Sequence, residues 1–150
     1  MTFKLSAKSL TNLQGVEERL VRVVQRAIEL TTVDFGVIEG LRTEETQRAY
    51  VAAGKSQTMA SKHLEGKAVD LMAYVAGKPS WELNLYDDIA DAMKKAAAEQ
   101  GVAIRWGGAW TVNDITKWQG TMASAMNAYI DERRAQKRKP FIDGPHFELA

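Results

Sequence analysis

Two histidines are all that this chain of 150 residues contains, and each stands beside carboxylates in a glycine-bearing segment. Ser61–Asp70 reads S-K-H-L-E-G-K-A-V-D, and Asp143–His146 reads D-G-P-H. If the imidazoles act together, the fold must bring the far end of the chain back to its middle. The spacing inside the first segment is equally restrictive. His63 and Asp70 lie about 10 Å apart along a helix or over about 20 Å apart along a strand, too far in either case for one ion. The chain has to turn between them, and Gly66 offers the place to do so.

Zinc takes imidazole nitrogen and carboxylate oxygen at about 2.0–2.2 Å, and catalytic sites combine three protein ligands with one open position. His63, Asp70 and His146 meet that count. Asp143, three residues before His146, is close enough to act as general base on an activated water, while Gly144 and Pro145 keep the segment out of a helix. Taken singly, each residue reads as ordinary: a histidine as a hydrogen-bonded structural group, an aspartate near glycine as a turn former. The coincidence of all of them points to a metal. The chain has no cysteine, which excludes disulfides, thiolate zinc sites and a cysteine nucleophile.

The background is that of an ordinary globular domain, with 45% hydrophobic and 26% charged residues. Its length is enough to bury a core without staples. Twenty basic against nineteen acidic side chains leave a net charge of +1, so nucleic-acid binding through overall charge is excluded. The first 20 residues lack the apolar core of an export signal, and no run approaches the ~20 apolar residues of a membrane span. Synthesis in the cytosol without stable membrane insertion is expected.

Leu20, Val23, Val24, Ala27 and Ile28 share one helical face within Val16–Leu30. Val33–Leu41 reads as a strand, and Thr43 followed by Glu44 and Glu45 as the start of a helix ending before Gly54. Lys62–Tyr74 reads as a strand or hairpin turning at Leu64–Lys67. Pro79 and Ser80 precede a helix with Leu85, Ile89, Ala92, Met93 and Ala96 on one face, stopped by Gly101. Val102–Trp106 reads as a strand broken by Gly107-Gly108, Trp110–Gly120 as irregular, and Thr121–Ala135 as a helix. In an extended final segment, His146 and Glu148 face one way and Phe147 and Leu149 the other. The expected fold is a single α+β domain over residues 1–150, with several helices packed against a small, mainly antiparallel sheet that carries the zinc site.

The segments GLRTEETQ, SKHLEGKAVDL, RWGGAW and FIDGPHFEL resemble the phage L-alanyl-D-glutamate endopeptidases. These are endolysins of the wider D-alanyl-D-alanine carboxypeptidase-like zinc peptidase group. The resemblance runs in order from about Leu13 to Leu149, and its most specific element is S-x-H-x-x-G-x-A-x-D with a downstream D-x-x-H. It implies His63, Asp70 and His146 as zinc ligands, Asp143 as the catalytic carboxylate, and Arg42 as the cation that steadies the scissile carbonyl as it becomes an oxyanion. It also implies a substrate-orienting role for Gln47. Ser61 either touches substrate or caps the chain locally. At Ala109 the chain departs from the acidic residue common in the W-G-G-x-W stretch of relatives.

The activity so implied is hydrolysis of the L-alanyl-D-glutamate bond in the stem peptide of peptidoglycan during host lysis. The chain would work as a monomer with no wall-binding module, reaching the periplasm once a holin-like permeabiliser has opened the membrane. A D-alanyl-D-alanine carboxypeptidase or dipeptidase shares the metal motifs and stays open as an alternative. A non-catalytic zinc domain that binds the wall is disfavoured by Asp143, since a structural zinc site needs no free base. Trp106, Trp110 and Trp118 read as core or rim packing with a groove as the other option, and the basic run Arg133–Lys139 as a solvated helix end, with contact to anionic wall or lipopolysaccharide as the other option. Glu65 and Glu148 read as solvent-facing or as outer support behind the ligands, with no assignable role.

Overall fold

The computed structural model describes residues 2–56 and 59–150. In chain order the helices are α1 (Ala7–Asn12), α2 (Glu18–Leu30), α3 (Glu44–Ala52), α4 (Leu83–Gln100) and α5 (Met122–Ala135). The strands are β1 (Asp34–Glu39), β2 (Ala68–Val75), β3 (Lys78–Ser80), β4 (Ile104–Trp106) and β5 (His146–Leu149). All ladders are antiparallel, in the order β1-β2-β5-β4, with β3 paired to the far end of β2. The α+β architecture expected from the sequence is therefore present.

The apolar stripe of α2 is buried as its spacing requires, with Leu20, Val23, Val24 and Ala27 all at 0% exposure. Burying a branched side chain contributes on the order of 1.5–3 kcal/mol. The exposed Arg22–Glu18 pair on the same helix is worth only about 0.3–0.5 kcal/mol. The stripe, not the ion pair, holds α2 in place. It packs in one core with Ile89, Met93 and Ala96 of α4, Met122 and Met126 of α5, and one face of the sheet. That face presents Phe35 and Val37 of β1, Val69, Leu71 and Ala73 of β2, and Phe147 and Leu149 of β5.

Alternation along β2 then sends Asp70 to the opposite face. In register across three strands, Glu39 pairs with Asp70, and Asp70 with His146. A register shift between Val37 and Glu39 inserts an extra residue into β1 and brings Glu39 opposite Asp70. The far end of the chain thus supplies an interior strand, β5, between β2 and β4.

Two expectations are corrected. Lys62–Glu65 is a 3-10 turn rather than the first arm of a hairpin: the Ser61 hydroxyl accepts from the His63 amide, and Gly66 closes the turn at φ +69°. The hairpin instead joins β2 to β3, so Pro79 and Ser80, which do precede α4, lie in a strand. Proline is tolerated there because β3 is an edge strand. The capped start of α3 at Thr43 and the stop of α4 at Gly101, in the left-handed region at φ +69°, follow the sequence reading.

Candidate active site

His63, Asp70 and His146 meet on the polar face of the sheet, with one donor atom from each lying within 4.8 Å of the others. Asp70 Oδ1 is 3.3 Å from His63 Nε2 and 3.2 Å from His146 Nδ1. Ligands at about 2.0–2.1 Å in a tetrahedral shell stand about 3.3 Å apart, so these separations suit a metal ion between them. Each ring is turned by a contact on its other nitrogen. His63 Nδ1 lies 2.8 Å from the Gly40 carbonyl, which can only accept; the proton therefore sits on Nδ1 and Nε2 keeps its lone pair. Nε2 is buried and makes no hydrogen bond. A buried nitrogen that makes no hydrogen bond and stands 3.3 Å from a carboxylate fits the role of a metal ligand. His146 Nε2 lies 2.8 Å from Glu148 Oε1, which leaves Nδ1 facing Asp70.

Without a metal, these groups hold one another by charge. Burial opposes ionisation of Asp70, but the His146 hydrogen bond and the two imidazoles close to it outweigh that and hold its carboxyl well below the usual carboxylate range. Burial likewise works against charge on His146, yet Asp70 and Glu148 outweigh it and push the ring up to about 9. A metal entering here would displace the proton from Nδ1.

Asp143 lines the same cleft. Burial, reinforced by the negative charge of Asp70, raises its carboxyl above the ordinary value, while His146, His63 and Arg42 pull the other way. Its backbone is pinned: the amide donates to Gly107 O at 2.9 Å and its carbonyl accepts from His146 N at 3.1 Å. A Cβ on Gly107 would overlap the Asp143 carbonyl oxygen, and one on Gly108 would overlap the Trp106 ring. The Gly107-Gly108 pair therefore ends β4 and also makes room for the loop that carries Asp143. Trp106 Nε1 donates to Gly144 O at 2.7 Å from within the core.

Arg42 is buried beside the candidate metal group, with its amide on His63 O at 2.9 Å. Its guanidinium donates to Glu39 and to Gln47 Oε1, both at 2.5 Å, and stands 3.6 Å from Asp70 Oδ2. The Tyr50 ring lies 4.6 Å from its central carbon. Gln47 is wholly buried and lies behind Arg42 rather than among the residues lining the cleft. Ser61 lines the cleft, with its hydroxyl already serving the His63 turn.

The cleft has a volume of about 1080 Å³ and runs past Tyr50, Ser61, Trp110, Tyr129 and Trp81. Trp110 stands 5.4 Å from the His146 ring, whereas Trp106 is fully buried and Trp118 packs against the core. Trp81, 63% exposed and stacked on Tyr86, is the tryptophan that the sequence reading passed over. Its position just before a helix gave no periodic signal. Ala109 is fully buried in the core, so a polar side chain has no place at that position here.

Across residues 1–150 the sequence matches the phage L-alanyl-D-glutamate peptidases. The chain belongs to that family. It is 32% identical to the L-alanyl-D-glutamate peptidase of Escherichia phage T5, with 99% of each chain aligned. It is 28% identical to the enzyme of the same name from Listeria phage A118, over 74% of this chain and 40% of that protein. Among solved structures it resembles the Serratia marcescens L-Ala D-Glu endopeptidase ChiX at TM-score 0.74 and 39% identity, covering 99% of this chain and 91% of that one. Family membership and the candidate metal group agree, and both segments that hold the histidines lie within the matched region.

Proposed function

We propose that this chain is a zinc-dependent peptidoglycan endopeptidase that hydrolyses the L-alanyl-D-glutamate bond of the stem peptide. The observation that carries the reading is the convergence of His63 Nε2, Asp70 Oδ1 and His146 Nδ1 in a chain that aligns end to end with L-alanyl-D-glutamate peptidases. The donor set suits zinc: two imidazoles and one carboxylate, with no thiolate, is a set that leaves a position open for chemistry. When bound, zinc supplies a Lewis acid and makes a proton of water removable near neutral pH.

This chain's own residues supply the rest. Asp143 takes the proton from the attacking water and returns it to the amide nitrogen of the leaving D-glutamate, so the C–N bond breaks as a neutral amine forms. Arg42, held rigid by Glu39 and Gln47, keeps a fixed positive charge at the cleft wall for the oxygen that gains charge as water adds to the carbonyl. In this reading Gln47 orients Arg42, and Ser61 shapes the turn that presents His63.

Among the described residues no helix is long and apolar enough to cross a membrane. We place the enzyme's action after a holin-like partner has opened the membrane, with the protein working as a monomer on the wall. Expression with and without a pore-forming partner tests the route; rapid lysis without one overturns it.

The decisive experiment gives the purified protein muropeptides with intact tetrapeptide and pentapeptide stems and identifies products by mass spectrometry. New N-terminal D-glutamate supports the proposal. Free D-alanine as the sole product replaces it with a carboxypeptidase.

A further inference from the structure

Glu148 lies two residues beyond His146 on β5, so strand alternation places its carboxylate on the same face as the imidazole. It is buried, at 7% exposure. Oε1 is 2.8 Å from His146 Nε2, while Oε2 faces Lys62 Nζ at 3.4 Å and Arg105 Nη1 at 3.7 Å. The two cations come from different elements. Lys62 belongs to the turn that carries His63 and also donates to Leu149 O. Arg105 lies directly opposite Glu148 in the β4–β5 register, and its Nη2 donates to Trp110 O at 2.7 Å. The buried carboxylate is thus faced by one imidazole and two cations, all within 3.7 Å.

We infer that Glu148 is the positioning residue of the metal group: it accepts the Nε2 proton of His146 and so fixes the tautomer and ring orientation that present Nδ1 beside Asp70 and His63 Nε2. A neutral imidazole carries one proton, and the nitrogen that holds it cannot ligate a metal. An anionic acceptor at Nε2 settles that choice and increases the basicity of Nδ1. Lys62 and Arg105 have the complementary task. By holding Oε2 they keep Glu148 turned away from the metal position, so that it supports a ligand without becoming one. The same two cations tie the His63 turn and β4 to one carboxylate, which links the two histidine segments behind the metal as well as at it.

The inference rests on the zinc reading above, and its test separates the two. The full chain is stripped of metal and titrated with zinc against a chromophoric chelator, and the ring nitrogens of His146 are followed by NMR in the zinc-loaded protein. Glu148→Ala should bind zinc about 10–100-fold more weakly and lose the single Nε2–H signature of His146. Glu148→Gln keeps a neutral acceptor; it should retain that signature and recover part of the affinity. A merely structural glutamate would lower the melting temperature of the metal-free protein in Glu148→Ala and leave zinc affinity and ring signals as in the wild type, which overturns the inference. If Glu148→Ala fails to fold, Glu148→Gln decides: wild-type zinc affinity in that variant overturns the inference, and a measurable loss with the Nε2–H signal retained supports it. A wild-type chain that takes up no zinc overturns the metal reading and this inference together, whereas zinc-binding wild type with unaffected variants overturns this inference alone.

Discussion

The main-chain oxygen of Asp143 fills the space that a side chain on Gly107 would need, and the carbonyl of Gly107 in turn accepts the Asp143 amide at 2.9 Å. Gly107→Ala should therefore push the Asp143 loop away from the sheet. Overpacking of this kind costs about 1–3 kcal/mol, and a displacement of about 1 Å at a catalytic group costs on the order of 10²-fold in rate. Kinetics and thermal melts on the variant check both. An unchanged kcat would show that the loop tolerates the shift and that the close approach has no catalytic weight.

Asp143→Asn keeps the shape of the side chain and removes its ability to take a proton. Zinc content and melting temperature should stay near the wild-type values while turnover falls by about 10²–10⁴-fold. Near-normal turnover with full zinc occupancy would move the general base to another residue.

One zinc per chain is expected in the purified protein, with activity lost on chelation and regained on adding zinc back. His63→Ala and His146→Ala should each lose the metal and, with it, thermal stability, because metal binding and folding are coupled. Elemental analysis and melts with and without chelator provide the measurement. A metal-free sample with full activity contradicts the mechanism.

Arg42→Lys retains a positive charge but cannot reproduce the fork that reaches Glu39 and Gln47 together. We expect kcat to fall by about 10–10³-fold with zinc still bound. Gln47→Ala, which leaves a buried N–H of Arg42 without its acceptor, should cost about 1–3 kcal/mol of stability and lower kcat more than it raises KM. A Gln47→Ala enzyme altered only in KM would return Gln47 to direct contact with substrate.

On α4, outside the cleft lining, burial raises the Asp87 carboxyl to about 6, with the charges of Asp88 and Asp91 adding to the shift. Between its ordinary value of 3.8 and about 6 the folded chain holds a proton there that the unfolded chain has released. Stability must then fall as pH rises through that window, because the folded state binds more protons than the unfolded one. Asp87→Asn should flatten this decline and stabilise the protein above pH 6 by about 1 kcal/mol, water on the partly exposed side screening the remainder. Denaturant melts of both proteins at pH 4 and pH 7 test it; equal differences at the two pH values would remove Asp87 as the cause.

How far the sequence could be read depended on whether a residue's surroundings were near it in the chain. The face of α2 was legible because Leu20, Val23, Val24, Ala27 and Ile28 repeat at helical spacing, and β5 because alternation sorts His146 and Glu148 from Phe147 and Leu149. The segment Lys62–Glu65 was misread because a cap from Ser61 and a left-handed Gly66 decide its shape, and neither leaves a periodic trace. β3 was hidden by Pro79, a residue that argues against strands everywhere except at an edge. Alternation put Glu148 on the face of His146, but its cations could not be seen: Lys62 and Arg105 reach it from separate parts of the chain. Gln47 was read as a residue that orients substrate, and only the fold shows that its Oε1 meets Arg42.

The insertion of β5 between β2 and β4 has a consequence for the order of events during folding. Residues 146–149 bridge two parts of the sheet that otherwise share no ladder, and they also bring the second imidazole. Contacts of such long sequence separation close late and slowly. A growing chain can collapse α2 and α4 early, yet it holds no joined sheet and no complete ligand set until its final strand arrives. Structural completion and chemical competence are thus a single step, and a partly made chain is an inert one.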